Sequence, residues 1–207
     1  MKRFLTLRGV IIFLTGILFA VYSVYNIYII INDSDEIGTG GTLISAAVAL
    51  IYAIFAFFAF SAGATVNDIR FYIGRRILFI LALVAAFGIK LRLIRSIITA
   101  ITFSDMSTVL YGASFILTQF GMLFLIIYYV FIARTMEKNA VPPVTLQILA
   151  LVFFALSLIC EMVLLFVYGI GLEGNPLQTM IFRPVFYLGF IGLSVYFMLP
   201  PPQPNKE

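Results

Sequence analysis

Long apolar runs alternate with short polar stretches along the whole chain. Each run offers about the 20 residues that a helix needs to cross a hydrocarbon core roughly 30 Å thick. The polar stretches between the runs are too short to form a separate soluble domain. The pattern therefore predicts an all-α, polytopic membrane helix bundle with six transmembrane helices, which form a single transmembrane domain over residues 1–207. The predicted helices cover residues 10–31, 42–62, 77–103, 108–133, 144–170 and 177–199.

The third run is interrupted by three cations, and they decide how far its helix extends. Residues 77–89 alone are too few to cross the bilayer, so the helix is expected to continue through Lys90, Arg92 and Arg95 to Phe103. This places Lys90 near the middle of the membrane. A charge there costs about 2.5 to 3.5 kcal/mol on insertion scales, so intramembrane cations are candidates for a functional site.

The basic residues outside the apolar runs predict the orientation of the bundle. Under the six-span arrangement they all lie in loops or termini on one side, and the outer loops carry only acids. By the positive-inside rule, the N-terminus and the C-terminus are then cytoplasmic. A five-span arrangement with a re-entrant third run would put Arg134 and Lys138 outside, which disfavours it. The inner basic residues are Lys2, Arg3, Arg8, Arg70, Arg75, Arg76, Arg134, Lys138 and Lys206.

Composition identifies the class of protein and excludes several functions. Hydrophobic residues make up 63% of the chain, against about 45–50% in soluble domains. We therefore expect a multi-pass integral membrane protein of the cell (plasma) membrane. Its net charge of +4 comes from residues that flank apolar runs rather than line one polar surface, which argues against nucleic-acid binding.

The chain has no histidine and one cysteine, Cys160. This excludes an internal disulfide, histidine-containing or four-cysteine zinc sites, and nucleophile pairs that need histidine. No catalytic constellation is visible in the sequence. We therefore expect a protein that is not an enzyme and that uses no cofactor or metal. An intramembrane enzyme acting on lipids stays open as a third alternative, with Glu161, Tyr168 and Lys90 as its candidates for acid–base chemistry.

Five charged residues are predicted to share one half of the bilayer, the half that faces outside. They are Lys90, Arg92 and Arg95 of the third helix, Glu161 of the fifth and Arg183 of the sixth. Four cations against one carboxylate leave an excess of about +3, which is unfavourable unless an anion completes it or the side chains reach water. Arginine suits bidentate binding of carboxylate and phosphate groups. The sequence therefore predicts a binding or transport site for an anionic small molecule or lipid headgroup.

The same helices carry polar residues at helical spacing near these charges. Tyr111, Ser114 and Thr118 share a face of the fourth helix, and Arg183 and Tyr187 lie one turn apart on the sixth. On the fifth helix, Gln147, Ser157, Glu161 and Tyr168 share a face. These faces are expected to turn inward around a polar interior. Pro184 is expected to kink the sixth helix beside Arg183.

Two other interpretations stay open at this point. The arginines can snorkel to the membrane surface, with Glu161 serving only as a structural partner for an arginine of the third helix. Alternatively, the protein is a non-catalytic subunit or assembly factor of a membrane complex. Small residues of the second helix, Ala49, Ala53 and Ala56, would then contact a partner helix, although plain packing within the bundle also explains them.

Overall fold

A computed structural model describes residues 7–32, 34–64, 77–89, 91, 106–135, 144–168 and 181–199. These residues form six helices and no strand. The helices are α1 Leu7–Asn32, α2 Ser34–Ala64, α3 Ile77–Ile89, α4 Met106–Thr135, α5 Val144–Tyr168 and α6 Arg183–Met198. The predicted all-α fold class is confirmed for this part of the chain.

Four of the six helices contain segments long and apolar enough to cross a membrane by themselves. These segments are Leu7–Asn32, Gly38–Ala62, Val109–Phe131 and Val144–Val167. The described parts of α3 and α6 are also apolar and comprise 10–17 residues each. The chain is thus a membrane-type helical bundle, while the count of six crossings and the cytoplasmic termini stay predictions.

Helix α2 begins earlier than the sequence indicated. The acidic stretch and the glycines that follow it were expected to form a loop that ends before residue 42, yet the helix starts at Ser34. Only Gly38 leaves the helical conformation, with φ 65° and ψ 175°. A residue without Cβ adopts this positive φ without steric cost, so a single glycine is enough to kink the chain.

The α-helix α6 is regular from Arg183 onward, and the two residues before it, 181 and 182, are also helical but more widely wound. Pro184 therefore lies in the first regular turn of α6, next to this change of winding. Proline is well tolerated there because the first N–H groups of a helix have no intrahelical partner. The kink expected beside Arg183 stays a prediction. Residues 177–180 of the predicted span lie outside the described residues.

The helices form a ring in which each one contacts its neighbours in sequence. Helix α1 packs against α2 and α6, and α5 packs against α4 and α6. The ring of Phe79 connects α3 to both of its neighbours, with centroid distances of 5.3 Å to Phe55 of α2 and 4.7 Å to Tyr129 of α4. The ring closes because the last helix lies beside the first.

Aromatic side chains fill the middle of this ring. The ring of Phe190, which is fully buried, lies 5.3 Å from Phe19, 5.8 Å from Phe55 and 5.0 Å from Phe154, measured between centroids. These rings come from four different helices, so we call the four residues the aromatic layer. Large apolar side chains such as Leu14, Leu50 and Phe166 point outward instead, as expected for surfaces in contact with lipid.

The alanines of α2 pack mainly inside the chain. Ala49 and Ala56 are 6% and 5% exposed, whereas Ala53 is exposed. The hydroxyl of Ser23 in α1 donates to the backbone oxygen of Ala49 at 2.8 Å, which requires close approach of α1 and α2. Small residues permit such an approach between helices in lipid. Of the three alanines considered for partner docking, only Ala53 therefore faces outward.

Candidate functional site

The polar faces of α4, α5 and α6 meet at the carboxylate of Glu161, which is 7% exposed. Ser114 donates to its Oε1 atom at 2.8 Å, and the Tyr187 hydroxyl donates to the same atom at 3.3 Å. Arg183 donates from Nη1 to the other oxygen, Oε2, at 3.2 Å. Hydrogen bonds from these three donors offset the free-energy cost of removing the carboxylate from water. The negative charge of Glu161 is thereby fixed where α4, α5 and α6 meet.

Helical periodicity brings these side chains together. Gln147, Ser157 and Glu161 lie on the buried face of α5, as their spacing predicted. On α4, the Thr118 hydroxyl donates to the Ser114 backbone oxygen at 2.8 Å and lies 3.2 Å from the Ser157 hydroxyl. The polar network therefore extends one helical turn deeper than Glu161. Its deeper part consists of neutral hydroxyl groups only.

Arg183 connects this buried network to the outside. Its side chain is 35% exposed, and its guanidinium lies 5.8 Å from the ring centre of Tyr111. A guanidinium has five N–H donors in a planar fork, and one of them serves the Glu161 bond. The arrangement can therefore hold an anionic group on the donors that face away from Glu161.

A partly open cavity of about 180 Å³ adjoins the ion pair. Besides Glu161 and Arg183, its wall consists of the aromatic side chains of Tyr22, Tyr111, Phe115, Phe186 and Tyr187. Liquid water occupies about 30 Å³ per molecule, so the cavity has room for a group the size of about six waters. The ring of Phe186 packs 5.2 Å from Phe190 of the aromatic layer. The cavity is therefore closed toward the middle of the bundle.

The cavity lies near the end of the bundle where α1 and α5 finish and α4 and α6 begin. Glu161 lies seven residues before Tyr168, the last residue of α5, which corresponds to about 10 Å along a helix. Tyr111 lies in the second turn of α4, and Arg183 opens α6. In the predicted orientation this end faces outside. A ligand would thus bind below the helix ends rather than at mid-membrane.

The structure brings together two of the five predicted site residues, Glu161 and Arg183. Lys90, Arg92 and Arg95 lie outside the described residues, so their predicted contribution stays a prediction. Among the described residues, Glu161 is paired with Arg183 of α6. The alternative pairing of Glu161 with an arginine of the third helix falls on residues outside that part of the chain. Within the same part of the chain, no group of three metal-ligating side chains comes together.

The hydroxyl groups of Ser114 and Tyr187 and the aromatic wall of the cavity were not predicted as parts of the site. Ser114 and Tyr187 were noted only as members of polar faces, and Phe115 and Phe186 carried no polar signal at all. The usable signal was the step of four residues from Arg183 to Tyr187, which puts both on one face of α6. The position of the phenylalanines depends on helix rotation and becomes visible only in the packed bundle.

Comparison of the chain with protein-family models, with curated proteins and with solved structures gives no match.

Proposed function

We propose that this multi-pass membrane protein binds or transports a small molecule or lipid headgroup through an anionic group held on Arg183. The observation that carries the proposal is the position of this guanidinium, which lines a cavity and is fixed on a buried carboxylate. In the proposal, Arg183 contacts the anion and Glu161 orients Arg183. Lys90, Arg92 and Arg95, expected in the same half of the bilayer, would add further positive charge.

The ion pair supports binding because it holds the arginine ready before a ligand arrives. Glu161 is itself held by Ser114 and Tyr187, so the guanidinium is anchored on a carboxylate that cannot rotate freely. Preorganised donors lose less conformational entropy on binding. Arginine also presents a fork that matches carboxylate and phosphate groups. The pair thus serves as a prepared binding site as well as a connection between α5 and α6.

The aromatic layer supports binding more directly than passage through the bundle. Phe186 lines the cavity, and Phe190 and Phe154 stack behind it with centroids 5.0 Å apart. A polar solute would have to displace these rings to continue through the described part of the protein. Transport would therefore require a conformational change, whereas binding requires none.

Native mass spectrometry of the protein purified from its host in a mild maltoside detergent tests the proposal. The variants are Arg183→Gln and a matched control, Arg8→Gln. Arg8 also stacks on a tyrosine, with its guanidinium 4.4 Å from the ring centre of Tyr196. It lies at the start of α1, at the end of the helix away from the cavity. We expect a defined small anion or lipid to remain bound to the wild type and to Arg8→Gln and to be lost from Arg183→Gln.

Equal retention by Arg183→Gln would overturn the proposal. Size-exclusion chromatography of both variants shows whether they fold like the wild type, so that a folding defect is not mistaken for lost binding. Recovery of a second polypeptide at fixed stoichiometry, with no small ligand, would instead support a role as a subunit of a membrane complex.

A further inference from the structure

In the part of the chain that the structure describes, the cavity is lined by one positive group, one negative group and an aromatic wall. We infer that its ligand is a zwitterion that places a phosphate or carboxylate on Arg183 and a quaternary ammonium against the aromatic wall beside Glu161. A phosphocholine-type headgroup has this chemistry. The inference rests on the proposed function and specifies the ligand that the same site would take.

The two described charges that line the cavity favour a ligand with both signs, and the predicted cations Lys90, Arg92 and Arg95 would also attract its anionic end. The Nη1 atom of Arg183 lies 3.2 Å from the Oε2 atom of Glu161, and the two side chains together carry no net charge. A simple anion is attracted by Arg183 and repelled by Glu161. A simple cation is attracted by Glu161 and repelled by Arg183. A zwitterion can place each of its charges beside the opposite charge of the pair. Its own neutrality also lowers the cost of entering a site beneath the helix ends.

The hydrogen bonds of Glu161 favour a cation without N–H groups. Its Oε1 atom already accepts from Ser114 and Tyr187, and its Oε2 atom accepts from Arg183. A carboxylate has about four acceptor positions, so little capacity remains for the three donors of a primary ammonium. A quaternary ammonium needs no hydrogen bond. It requires only the nearby negative charge, which Glu161 retains.

The aromatic wall supplies the second element that such a cation needs. Five aromatic side chains from α1, α4 and α6 line the cavity, and the ring of Tyr111 already lies against the Arg183 guanidinium. Cages of aromatic rings bind quaternary ammonium groups through cation–π attraction. A purely anionic ligand would gain nothing from the negative faces of these rings.

Size and depth agree with a headgroup rather than a whole lipid. The cavity volume of about 180 Å³ suits a trimethylammonium group and its linker and is too small for a whole lipid. It is partly open, so the remainder of a lipid can stay outside. The same chemistry is present in a membrane lipid and in free phosphocholine, and these two sources are separated by the experiment.

The full-length protein is reconstituted in nanodiscs of phosphatidylglycerol, which lack any choline group. Binding of free phosphocholine, choline and inorganic phosphate is measured by isothermal titration calorimetry. We expect phosphocholine to bind at least about tenfold more tightly than either half alone. A parallel measurement by native mass spectrometry in maltoside compares short-chain phosphatidylcholine with short-chain phosphatidylglycerol. Preference for the choline lipid with no binding of free phosphocholine assigns the source as a membrane lipid.

Phe115→Leu tests the aromatic wall without touching the ion pair, and Phe120→Leu is its control. Phe115 is 8% exposed and lines the cavity, whereas Phe120 on the same helix is 45% exposed and lies outside it. We expect Phe115→Leu to weaken phosphocholine binding about three- to tenfold and to change phosphate binding less than that, because phosphate gains nothing from the ring. Phe120→Leu should behave as the wild type in both titrations.

The outcomes separate this inference from the proposed function. Binding of inorganic phosphate as tight as that of phosphocholine, or preference for phosphatidylglycerol, overturns the zwitterion and leaves an anion site on Arg183. Unchanged phosphocholine affinity in Phe115→Leu likewise overturns the aromatic cage. No binding of any probe, together with identical behaviour of the wild type and Arg183→Gln, overturns both.

Discussion

Arg183 and Tyr187 lie one helical turn apart at the start of α6 and donate to different oxygens of the same carboxylate, that of Glu161. Two bonds from one helix to one side chain fix both the depth and the rotation of α6 against α5. Ser114 adds a third bond from α4. The candidate site is therefore also a junction of three helices, and its stability can be measured separately from any ligand.

A double-mutant cycle measures how strongly the ion pair contributes to that junction. We expect Glu161→Gln to lower the free energy of unfolding by about 1 to 3 kcal/mol, because three donors then face a neutral amide. Arg183→Gln should cost about 1 kcal/mol or less, since a side chain that is 35% exposed is screened by its surroundings. Unfolding in mixed micelles with increasing denaturing detergent gives these values.

In the double variant Glu161→Gln/Arg183→Gln, we expect a loss smaller than the sum of the single losses by about 0.5 kcal/mol or more. This difference is the coupling between the two side chains. Strictly additive losses would show that the two residues do not interact in the membrane.

Ser114→Ala tests the hydroxyl that connects α4 to the carboxylate. We expect a loss of about 1 to 2 kcal/mol, because a buried carboxylate loses one of its three donors. Ser194→Ala is the matched control, since Ser194 is equally buried but donates only to the Phe190 backbone oxygen within its own helix, at 2.9 Å. Removing such a bond changes stability little. The same unfolding measurement compares them, and equal losses would contradict the network.

The alanines of α2 separate packing within the chain from docking to a partner. Ala56→Leu should destabilise the bundle by about 1 to 3 kcal/mol, because Ala56 is 5% exposed and a larger side chain overpacks the core. Ala53→Leu should leave stability unchanged, since Ala53 faces outward. Thermal unfolding in detergent checks both expectations. Loss of a co-purified partner in Ala53→Leu alone would then identify an intermolecular contact.

Cysteine labelling tests the predicted six-span arrangement. In a Cys160→Ser background, Asp105→Cys should react with a membrane-impermeant maleimide added to intact cells. Lys138→Cys should react only after the membrane is permeabilised, because basic loops are retained in the cytoplasm. The opposite pattern, with Lys138→Cys labelled from outside and Asp105→Cys protected, would support the five-span arrangement with a re-entrant third run.

The helical class and most helix positions could be predicted because they depend on local patterns. An apolar run of about 20 residues has few alternatives to a helix in lipid, where every backbone polar group must be paired within the segment. Helix boundaries were less predictable where glycine and proline occur. Gly38 breaks α2 alone rather than as part of a longer loop, and Pro184 lies in the first regular turn of α6, where the sequence placed it inside a longer span.

The charged residues of the site could be predicted individually, but their pairing could not. The cost of burying a charge marked Glu161 and Arg183 in the sequence. Pattern alone allowed Glu161 to pair with an arginine of the third helix, and only the packed bundle shows that α6 lies beside α5 and supplies Arg183. The sequence by itself determined which segments are helical and which residues are too polar for lipid. Both depend on the free energy of transferring a short segment from water to lipid, which the residues of that segment set. Only the tertiary structure decided that Ser114 and five aromatic side chains, Tyr187 among them, surround that pair, because contacts between helices distant in sequence depend on their mutual rotation and depth.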